Sequence, residues 1–469
     1  MSAYLLSVNT VLGSEPTGAG FPRPPLAPGW LLVPFAQILG ADIGYKVWSA
    51  LASLAPVAPV YLLARRLNGP SWVPLFAVGF LLLDPLHAEM IVTGALPLIG
   101  FALLGMVWWG MCSLAERPSW RVGLVTVACL ALIPYVNHTT AGLAIVTVPV
   151  LLMALLWFRG CECAPGFRLV EVVGILLRIM PALLLGGLIA LGALPWYMEV
   201  LPGAGLLDYP GPVVYFTHAF DTAWWQFGLA WLLGVWMIRK AETPWLRSLG
   251  VLVCLLGTLL VFRSYDETVM NVFYRSIYLL ALPFYVGITW AVFVKWLPCL
   301  HWRPWLVAVA VGLTGLVMVY GYIWQFQRQQ VYSEMVSVET VEALAYIRGH
   351  GQESAVINNS FTLGLWIAAL NRVAAPNTWN AEPPPAYTRS DGDVRCLLGW
   401  VSGCQVAEAQ ARLEAGWVLI DTRFPYYNKR APGVYGALDV AEPWSGLPGL
   451  PWLESAYSGG TVRLWRIVV

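Results

Sequence analysis

The chain consists largely of apolar blocks that are each long enough to cross a membrane. Hydrophobic residues make up 58% of its 469 positions and charged residues only 11%, against roughly 25% charged residues in soluble domains. The apolar blocks run for about 17–25 residues between short polar turns, which is the length that a transmembrane helix needs. This pattern excludes an ordinary soluble protein and predicts an α-helical polytopic membrane protein.

The apolar blocks and the residues that interrupt them predict about ten transmembrane helices within residues 31–328. Residues 1–30 are predicted to form an external amphipathic or juxtamembrane segment. The predicted spans lie near 31–64 (a reentrant or interfacial stretch and then a helix), 72–86, 95–114, 121–136, 139–158, 172–195, 222–238, 245–262, 275–294 and 304–326.

The connections between the spans alternate in charge. One set carries twelve cations: Arg65, Arg66, Arg117, Arg121, Arg159, Arg168, Arg178, Arg239, Lys240, Arg247, Lys295 and Arg303. The other set carries seven acids: Asp84, Glu89, Glu199, Asp208, Asp221, Asp266 and Glu267. The positive-inside rule places the first set in the cytoplasm, so residues 1–30, the 196–221 loop and the C-terminal domain are predicted to lie outside. No basic tract indicates a nucleic-acid partner.

Residues 329–469 are predicted to form a small extracytoplasmic α/β domain. The patterns predict helices at 338–350, 363–370 and 406–415, strands at 355–358 and 416–421, and a β-hairpin over 455–468. The Pro-rich and polar stretch 377–393 is predicted to be a loop.

The cysteines agree with this division between compartments. Cys396 and Cys404 lie in the predicted external domain, where oxidation is permitted, and we expect a disulfide between them. Cys161 and Cys163 lie in a predicted cytoplasmic loop, where thiols stay reduced, and as a Cys-x-Cys pair without a nearby His they are only a weak indication of a metal site.

A first candidate site follows the second predicted span, where Asp84, His87 and Glu89 fall within about one helical turn. Ionisable groups at membrane depth or at helix mouths are costly, so each is a candidate functional group. A carboxylate beside an imidazole can bind a divalent cation such as Mg²⁺ or Mn²⁺, or act as a general base. The alternative is a solvated helix end at which Asp84 precedes the helix-breaking Pro85.

Two further histidines lie on the predicted outer face. His138 stands where one span ends and the next begins, and it is either a ligand or an interfacial residue. His218 lies with several acids and aromatic residues in the 196–221 loop. Long loops are often functional, but an aromatic loop is equally typical of the membrane interface.

The fourth candidate cluster contains two arginines on the predicted outer face, Arg263 and Arg275, together with Asp266 and Glu267. Arginine suits bidentate recognition of phosphate, so the pair could bind an anionic ligand. The alternative is an internal salt bridge. No P-loop, Rossmann glycine pattern, HExxH or nucleophile-elbow motif occurs, so ATP-driven transport and soluble-cofactor chemistry lose support.

The stretch Phe21–Gly100 carries the residues of a family resemblance. It contains Pro24-Pro25-Leu26, a span that closes with Tyr61-Leu62-Leu63-Ala64-Arg65-Arg66-Leu67, and a later span that ends in Asp84-Pro85-Leu86. With Arg275-Ser276-Ile277-Tyr278 and the C-terminal α/β domain, the chain resembles the GT-C superfamily of polytopic glycosyltransferases. Relatives in that group include protein O-mannosyltransferases, lipid A aminoarabinose transferases and oligosaccharyltransferase catalytic subunits.

The resemblance implies that a sugar is transferred from a polyprenyl-phosphate donor to a lipid, glycan or protein acceptor on the outer face, by an inverting displacement. It also implies an integral protein of the bacterial plasma membrane. The roles it implies are catalysis for Asp84 or Glu89 and binding of the donor phosphate by Arg275, Arg263 and His138. His87 and His218, which come from the residue clusters described above, are also expected to bind substrate. In the family a transmembrane helix and an acidic residue precede the segment matched by Ser2–Gly13. We therefore expect either an in-frame upstream extension or completion by a partner subunit.

Two other hypotheses stay open from the sequence. The chain could be a non-catalytic GT-C-like membrane subunit or a scaffold of a larger complex. A transporter is a third reading, although the paired halves with interrupted helices that are typical of transporters are not evident.

Overall fold

The computed structural model describes 34–35, 37–39, 47–48, 50–84, 87, 96–162, 168–195, 228–262, 276–296, isolated positions within 309–323, 337–350, 354–358, 386–422 and 446–468. The chain divides into two compact units. One, the helical unit, comprises Lys46–Pro195 and Gly211–Gln330, and the other contains Val331–Val469 with two earlier segments of the chain.

The described part of the helical unit has helical residues at 47–48 and 50–53 and isolated helical positions within 309–323. Nine helices follow one another between them. They are α1 (Val57–Ala64), α2 (Val73–Leu82), α3 (Leu96–Glu116), α4 (Trp120–Val136), α5 (His138–Glu162), α6 (Arg168–Ala190), α7 (228–240), α8 (Pro244–Phe262) and α9 (Ser276–Thr289). A π-helical segment, Trp290–Trp296, continues α9. These helices lie at nine of the ten positions predicted as spans.

Four helices of the described part are long and apolar enough to cross a membrane. They span Leu98–Glu116, Thr140–Cys161, Leu169–Ala193 and Leu279–Trp296. The first is 72% buried inside the unit and the third only 22%, so α3 is central and α6 presents its apolar side outward to lipid. The chain is thus an integral membrane protein, and the number of its crossings stays a prediction.

At one end of the helical unit, which we call the basic end, basic residues contact the ends of neighbouring helices. Arg66, just after α1, forms an ion pair with Glu116 at the end of α3 (2.7 Å) and lies 5.2 Å from the ring centre of Trp245 at the start of α8. Arg178 of α6 donates to the Ala115 carbonyl (3.3 Å). These contacts neutralise partly buried charge and satisfy the Ala115 carbonyl, one of those that the end of α3 leaves unpaired.

The opposite end, which we call the far end, contains the end of α2 and the junction of α4 and α5. Tyr135 near the end of α4 donates to the Ile189 carbonyl near the end of α6 (3.3 Å). Because successive helices alternate in direction, α2, α4 and α6 all finish at this end.

Glycines bring several helices unusually close. A Cβ on Gly234 of α7 would lie 2.9 Å from the Gly250 carbonyl of α8, and one on Gly250 would lie 2.8 Å from the Gly234 carbonyl. A Cβ on Gly110 of α3 would lie 2.0 Å from Thr126 Oγ1 of α4. Small residues at such crossings let apolar helices pack tightly where lipid supplies no hydrophobic driving force.

The second unit contains a four-stranded sheet in the order β1-β2-β4-β3. Its strands are β1 (Ala355–Asn358), β2 (Ala415–Asp421), β3 (Leu453–Gly459) and β4 (Val462–Ile467). β1 and β2 are parallel, and the other pairs are antiparallel. The hairpin between β3 and β4 turns at Gly460, whose φ of +50° suits a residue without a side chain.

Helices cover both faces of this sheet. On one face α10 (Val338–Gly349) packs Ala343, Leu344 and Ile347 against strand residues that include Trp417. On the other face lie α11 (Ala386–Leu397) and α12 (Val406–Leu413). Strand β2 is buried along its whole length because both faces are covered.

The loop prediction for 377–393 is wrong over its last eight residues, because α11 begins at Ala386. Local propensity disfavoured a helix in a stretch that contains Gly392 and several polar residues. Tertiary contacts at the end of the helix override it: Val394 and Leu397 are buried in the core, and Asp393 accepts from Arg412 of α12 at 2.7 Å.

The disulfide expected from the sequence is present in the structure, between Cys396 at the end of α11 and Cys404 just before α12. The predicted helix at 363–370 lies outside the described residues. The other predicted elements of this domain agree with the observed ones to within about two residues.

Candidate functional site

A buried carboxyl group stands at the end of α2. Pro74 occupies the first turn of that helix, where its missing N–H costs nothing. The Asp84 backbone N–H donates to the Leu81 carbonyl (3.1 Å) and closes the last turn. The Asp84 side chain is 0% exposed. The end of α2 is therefore enclosed and is not the solvated helix end that the sequence also allowed. Burying a carboxylate is costly unless its surroundings compensate the charge.

His87 is buried three residues further along, with 4% of its surface exposed. Its ring forms a hydrogen bond to the backbone of Ser53. The Ser53 hydroxyl donates in turn to the Ala50 carbonyl (2.6 Å) within the helical residues 50–53, which precede α1. Among the residues that the structure describes, His87 Nε2 has no hydrogen-bond partner. The imidazole is therefore fixed through one side and keeps a nitrogen available for a ligand.

The junction of α4 and α5 is a second buried polar corner at the far end. Asn137 Oδ1 accepts from the Thr140 backbone N–H (2.9 Å) and from Thr140 Oγ1 (3.2 Å), so Asn137 acts as the N-cap of α5. A Cβ on Gly100, near the start of α3, would lie 2.5 Å from Thr140 Oγ1. The close approach of α3 thus fixes the backbone on both sides of His138, the first residue of α5.

The structure places three of the predicted site residues, Asp84, His87 and His138, at the same end of the helical unit. The remaining four, Glu89, Arg263, Arg275 and His218, lie outside the described residues, and their roles stay predictions. The same holds for the divalent cation, because Glu89 belongs to the set expected to bind it. Within the described ranges no group of three His, Cys, Asp or Glu side chains comes together.

Ser53 is a site residue that the sequence did not reveal. It lies 34 positions before His87, inside an apolar run. The available signal is a hydroxyl in that run, where Ser49 is another. Hydroxyls are common in membrane helices and carry little information about a distant partner.

Solved structures of membrane glycosyltransferases share this fold. Archaeal oligosaccharyltransferase AglB from Archaeoglobus fulgidus, in complex with an inhibitory peptide and a dolichol-phosphate, matches with a TM-score of 0.52 and 11% identity over 90% of this chain and 65% of AglB. ArnT from Cupriavidus metallidurans, bound to undecaprenyl phosphate, matches with a TM-score of 0.53 and 13% identity over 99% of this chain and 92% of ArnT.

A third match is arabinofuranosyltransferase AftD from mycobacteria, with a TM-score of 0.52 and 16% identity over 94% of this chain. The chain spans 65% of the length of AglB and 36% of that of AftD. Neither a protein-family model nor a curated protein sequence matches the chain. On the structural matches, the chain has the fold of the GT-C superfamily of membrane glycosyltransferases.

Proposed function

We propose that the chain is a membrane glycosyltransferase that moves a sugar from a polyprenyl-phosphate donor to an acceptor at the far end of its helical unit. The fold supports a lipid-linked sugar transferase in general, because AglB, ArnT and AftD are all glycosyltransferases and two of them were solved with a polyprenyl phosphate bound. The acceptor is a hydroxyl of a lipid, glycan or protein.

The observation that carries the proposal is the burial of Asp84 and His87 within four residues of each other at the end of the apolar helix α2. A carboxyl group and an imidazole that served only to stop a helix could remain in water at no cost. Their enclosure costs free energy, and proteins retain such groups at membrane depth mainly where function requires them.

The chemistry follows from these groups. Asp84 accepts the proton of the acceptor hydroxyl as the oxygen forms a bond to the anomeric carbon of the sugar. The bond from that carbon to the phosphate oxygen breaks on the opposite side, and the polyprenyl phosphate leaves with the electron pair, so the anomeric configuration inverts. The negative charge of the bound donor phosphate favours the imidazolium form of His87, which then donates a hydrogen bond through Nε2 to that phosphate.

The carboxylate of Asp84 is the type of ligand that Mg²⁺ and Mn²⁺ prefer, and the imidazole of His87 suits Mn²⁺ better than Mg²⁺. A cation held by Asp84, with Glu89 as the further predicted ligand, would neutralise the charge of the donor phosphate. The step written above uses only side chains of this chain.

The test is turnover by the purified full chain in lipid nanodiscs. Undecaprenyl-phosphate-linked pentoses and hexoses with a radiolabel in the sugar are supplied with a membrane extract as the acceptor source, and the release of the sugar from the lipid is measured. We expect Asp84→Asn, which keeps the shape but loses the base, to lower the rate by at least about 100-fold. The control is Glu116→Gln, which removes a carboxylate of the same unit at the basic end.

The proposal fails if the natural chain releases no sugar from any donor while undecaprenyl phosphate also does not bind. It fails equally if Asp84→Asn and Glu116→Gln have the same rate as the natural chain. A chain that binds undecaprenyl phosphate without turnover would favour the non-catalytic subunit instead.

A further inference from the structure

The outward side of α7 carries apolar residues that end in two cations. Leu229, Leu232, Trp236 and Arg239 follow one another at intervals of three and four residues, so they share one face of the helix. Leu229 is 47% and Leu232 69% exposed, while Arg239 and its neighbour Lys240 are exposed at the end of the helix. This face matches a lipid molecule, with apolar surface along the membrane and positive charge where the helix leaves it.

The adjacent helix, α9, ends in an unusual backbone conformation. Trp290–Trp296 is π-helical, a conformation that is rare and is found frequently at functional sites. The segment brings the Trp290 ring within 4.9 Å and the Trp296 ring within 6.4 Å of the Trp236 ring of α7, measured between ring centres. Trp296 is still 57% exposed. The two helix ends therefore share an aromatic surface that is open on one side.

A third cation joins this surface. Lys295 of the π-helical segment forms an ion pair with Glu242, two residues after α7, and its Nζ lies 5.9 Å from the ring centre of Trp290. The ends of α7 and α9 therefore combine three cations with one carboxylate, which leaves a net positive charge. Tryptophan rings settle at the headgroup level of a bilayer, and lysine and arginine attract anionic lipids.

We propose that these residues form a binding site for one anionic phospholipid at the basic end. The lipid phosphate binds between Arg239, Lys240 and Lys295, the glycerol region contacts Trp296, and one acyl chain runs along the apolar side of α7. The site lies at the opposite end of the helical unit from Asp84 and His87, and it does not depend on the proposed glycosyl transfer.

The same end of the unit offers a matched comparison. Arg121 lies over the ring of Trp120 (5.5 Å) at the start of α4, in regular α-helical backbone, and Trp120 is 71% exposed. Arg117 is exposed in the preceding turn. A general preference of the basic end for anionic lipid would involve these two arginines as much as Arg239 and Lys240.

The experiment is native mass spectrometry of the delipidated full chain with added lipid. The probes are palmitoyl-oleoyl phosphatidylglycerol, the phosphatidylcholine with the same acyl chains, and undecaprenyl phosphate. We expect the first molecule of phosphatidylglycerol that binds to the chain to bind more tightly than the first molecule of phosphatidylcholine. Arg239→Gln with Lys240→Gln should weaken it by at least about tenfold, whereas Arg117→Gln with Arg121→Gln should leave it within about threefold. Both double variants should retain their binding of undecaprenyl phosphate.

Equal affinity for the two phospholipids, or an equal loss in the two double variants, would overturn the proposal. If the Arg239 and Lys240 variant does not fold, a salt titration of the natural chain decides. Binding of phosphatidylglycerol should weaken by about tenfold or more between 0.05 and 0.5 M NaCl because salt screens the exposed cations, and binding that ignores salt would contradict the site.

Discussion

The pairing of a carboxyl group and an imidazole at Asp84 and His87 was visible in the sequence because the two residues are three positions apart. Their burial was not visible, since the same letters also describe a solvated helix end. The contact that holds His87 is long-range, because its ring forms a hydrogen bond to the backbone of Ser53, 34 positions earlier in the chain. A candidate site can therefore be found from local spacing, whereas its environment depends on packing between helices.

Another single-residue contact predicts a pH dependence in the α/β domain. The Tyr457 hydroxyl donates to Glu342 Oε2 (2.7 Å), and this hydrogen bond raises the pKa of Tyr457 from 10.0 to about 12. Because the folded pKa is the higher one, the bond stabilises the domain fully below pH 10.0 and is lost as the pH rises through about 12.

The measurement is the absorbance of ionised tyrosine at high pH, taken as the difference between the natural chain and Tyr457→Phe. We expect one phenol with a midpoint near 12, moving toward 10.0 in Glu342→Gln. A midpoint near 10.0 in the natural chain would show that the hydrogen bond does not form.

At the scale of elements, the apolar blocks located the helices in the sequence. A helix needs apolar side chains both where it faces lipid and where it packs against other helices. Hydrophobic periodicity failed for α11, where a disulfide and an ion pair stabilise a sequence of poor helix propensity. It also could not distinguish α3, at the centre of the unit, from α6 at its surface. The partners of a uniformly apolar helix are set by features such as Gly234, which sequence periodicity does not report.

The glycine contact between α7 and α8 makes a prediction at this scale. A Cβ in Gly234→Ala would meet Cys254 Sγ at 2.5 Å and the Gly250 carbonyl at 2.9 Å, and backbone cannot yield as a flexible side chain can. We expect a loss of about 1–3 kcal/mol in unfolding free energy, as for other overpacked sites.

The matched control is Gly187→Ala in α6, where a Cβ meets nothing within 4 Å. This variant should be neutral or more stable, because alanine favours helix over glycine by about 1 kcal/mol. Thermal unfolding of both variants in detergent checks the pair, and equal stability would contradict the tight crossing of α7 and α8.

For the whole molecule, the alternation of charge predicts a membrane orientation, which stays a prediction; the structure shows which charged residues lie together at one end of the helical unit. The basic end contains two ion pairs, Arg66 with Glu116 and Lys295 with Glu242. Arg178 also donates to the Ala115 carbonyl there. Sequence patterning thus identified the membrane class and the architecture, whereas the side-chain arrangement at the far end needed the structure.

Orientation gives a prediction of its own. Cys161, exposed at the end of α5, should lie in the cytoplasm, and Ser458, exposed on β3, should lie outside. A membrane-impermeant maleimide applied to intact cells should label Ser458→Cys but not the natural chain, which should react only after the membrane is opened. Labelling of the natural chain in intact cells, with no gain in the variant, would reverse the orientation.

The central claim is that a polyprenyl phosphate binds at the far end of the helical unit, beside the buried Asp84 and His87. The most direct measurement is an electron cryo-microscopy structure of the full chain with undecaprenyl phosphate. The account predicts phosphate density in contact with His87, at the end where α2 finishes and α5 begins. Phosphate bound only at the basic end, near Arg239 and Lys240, would contradict it.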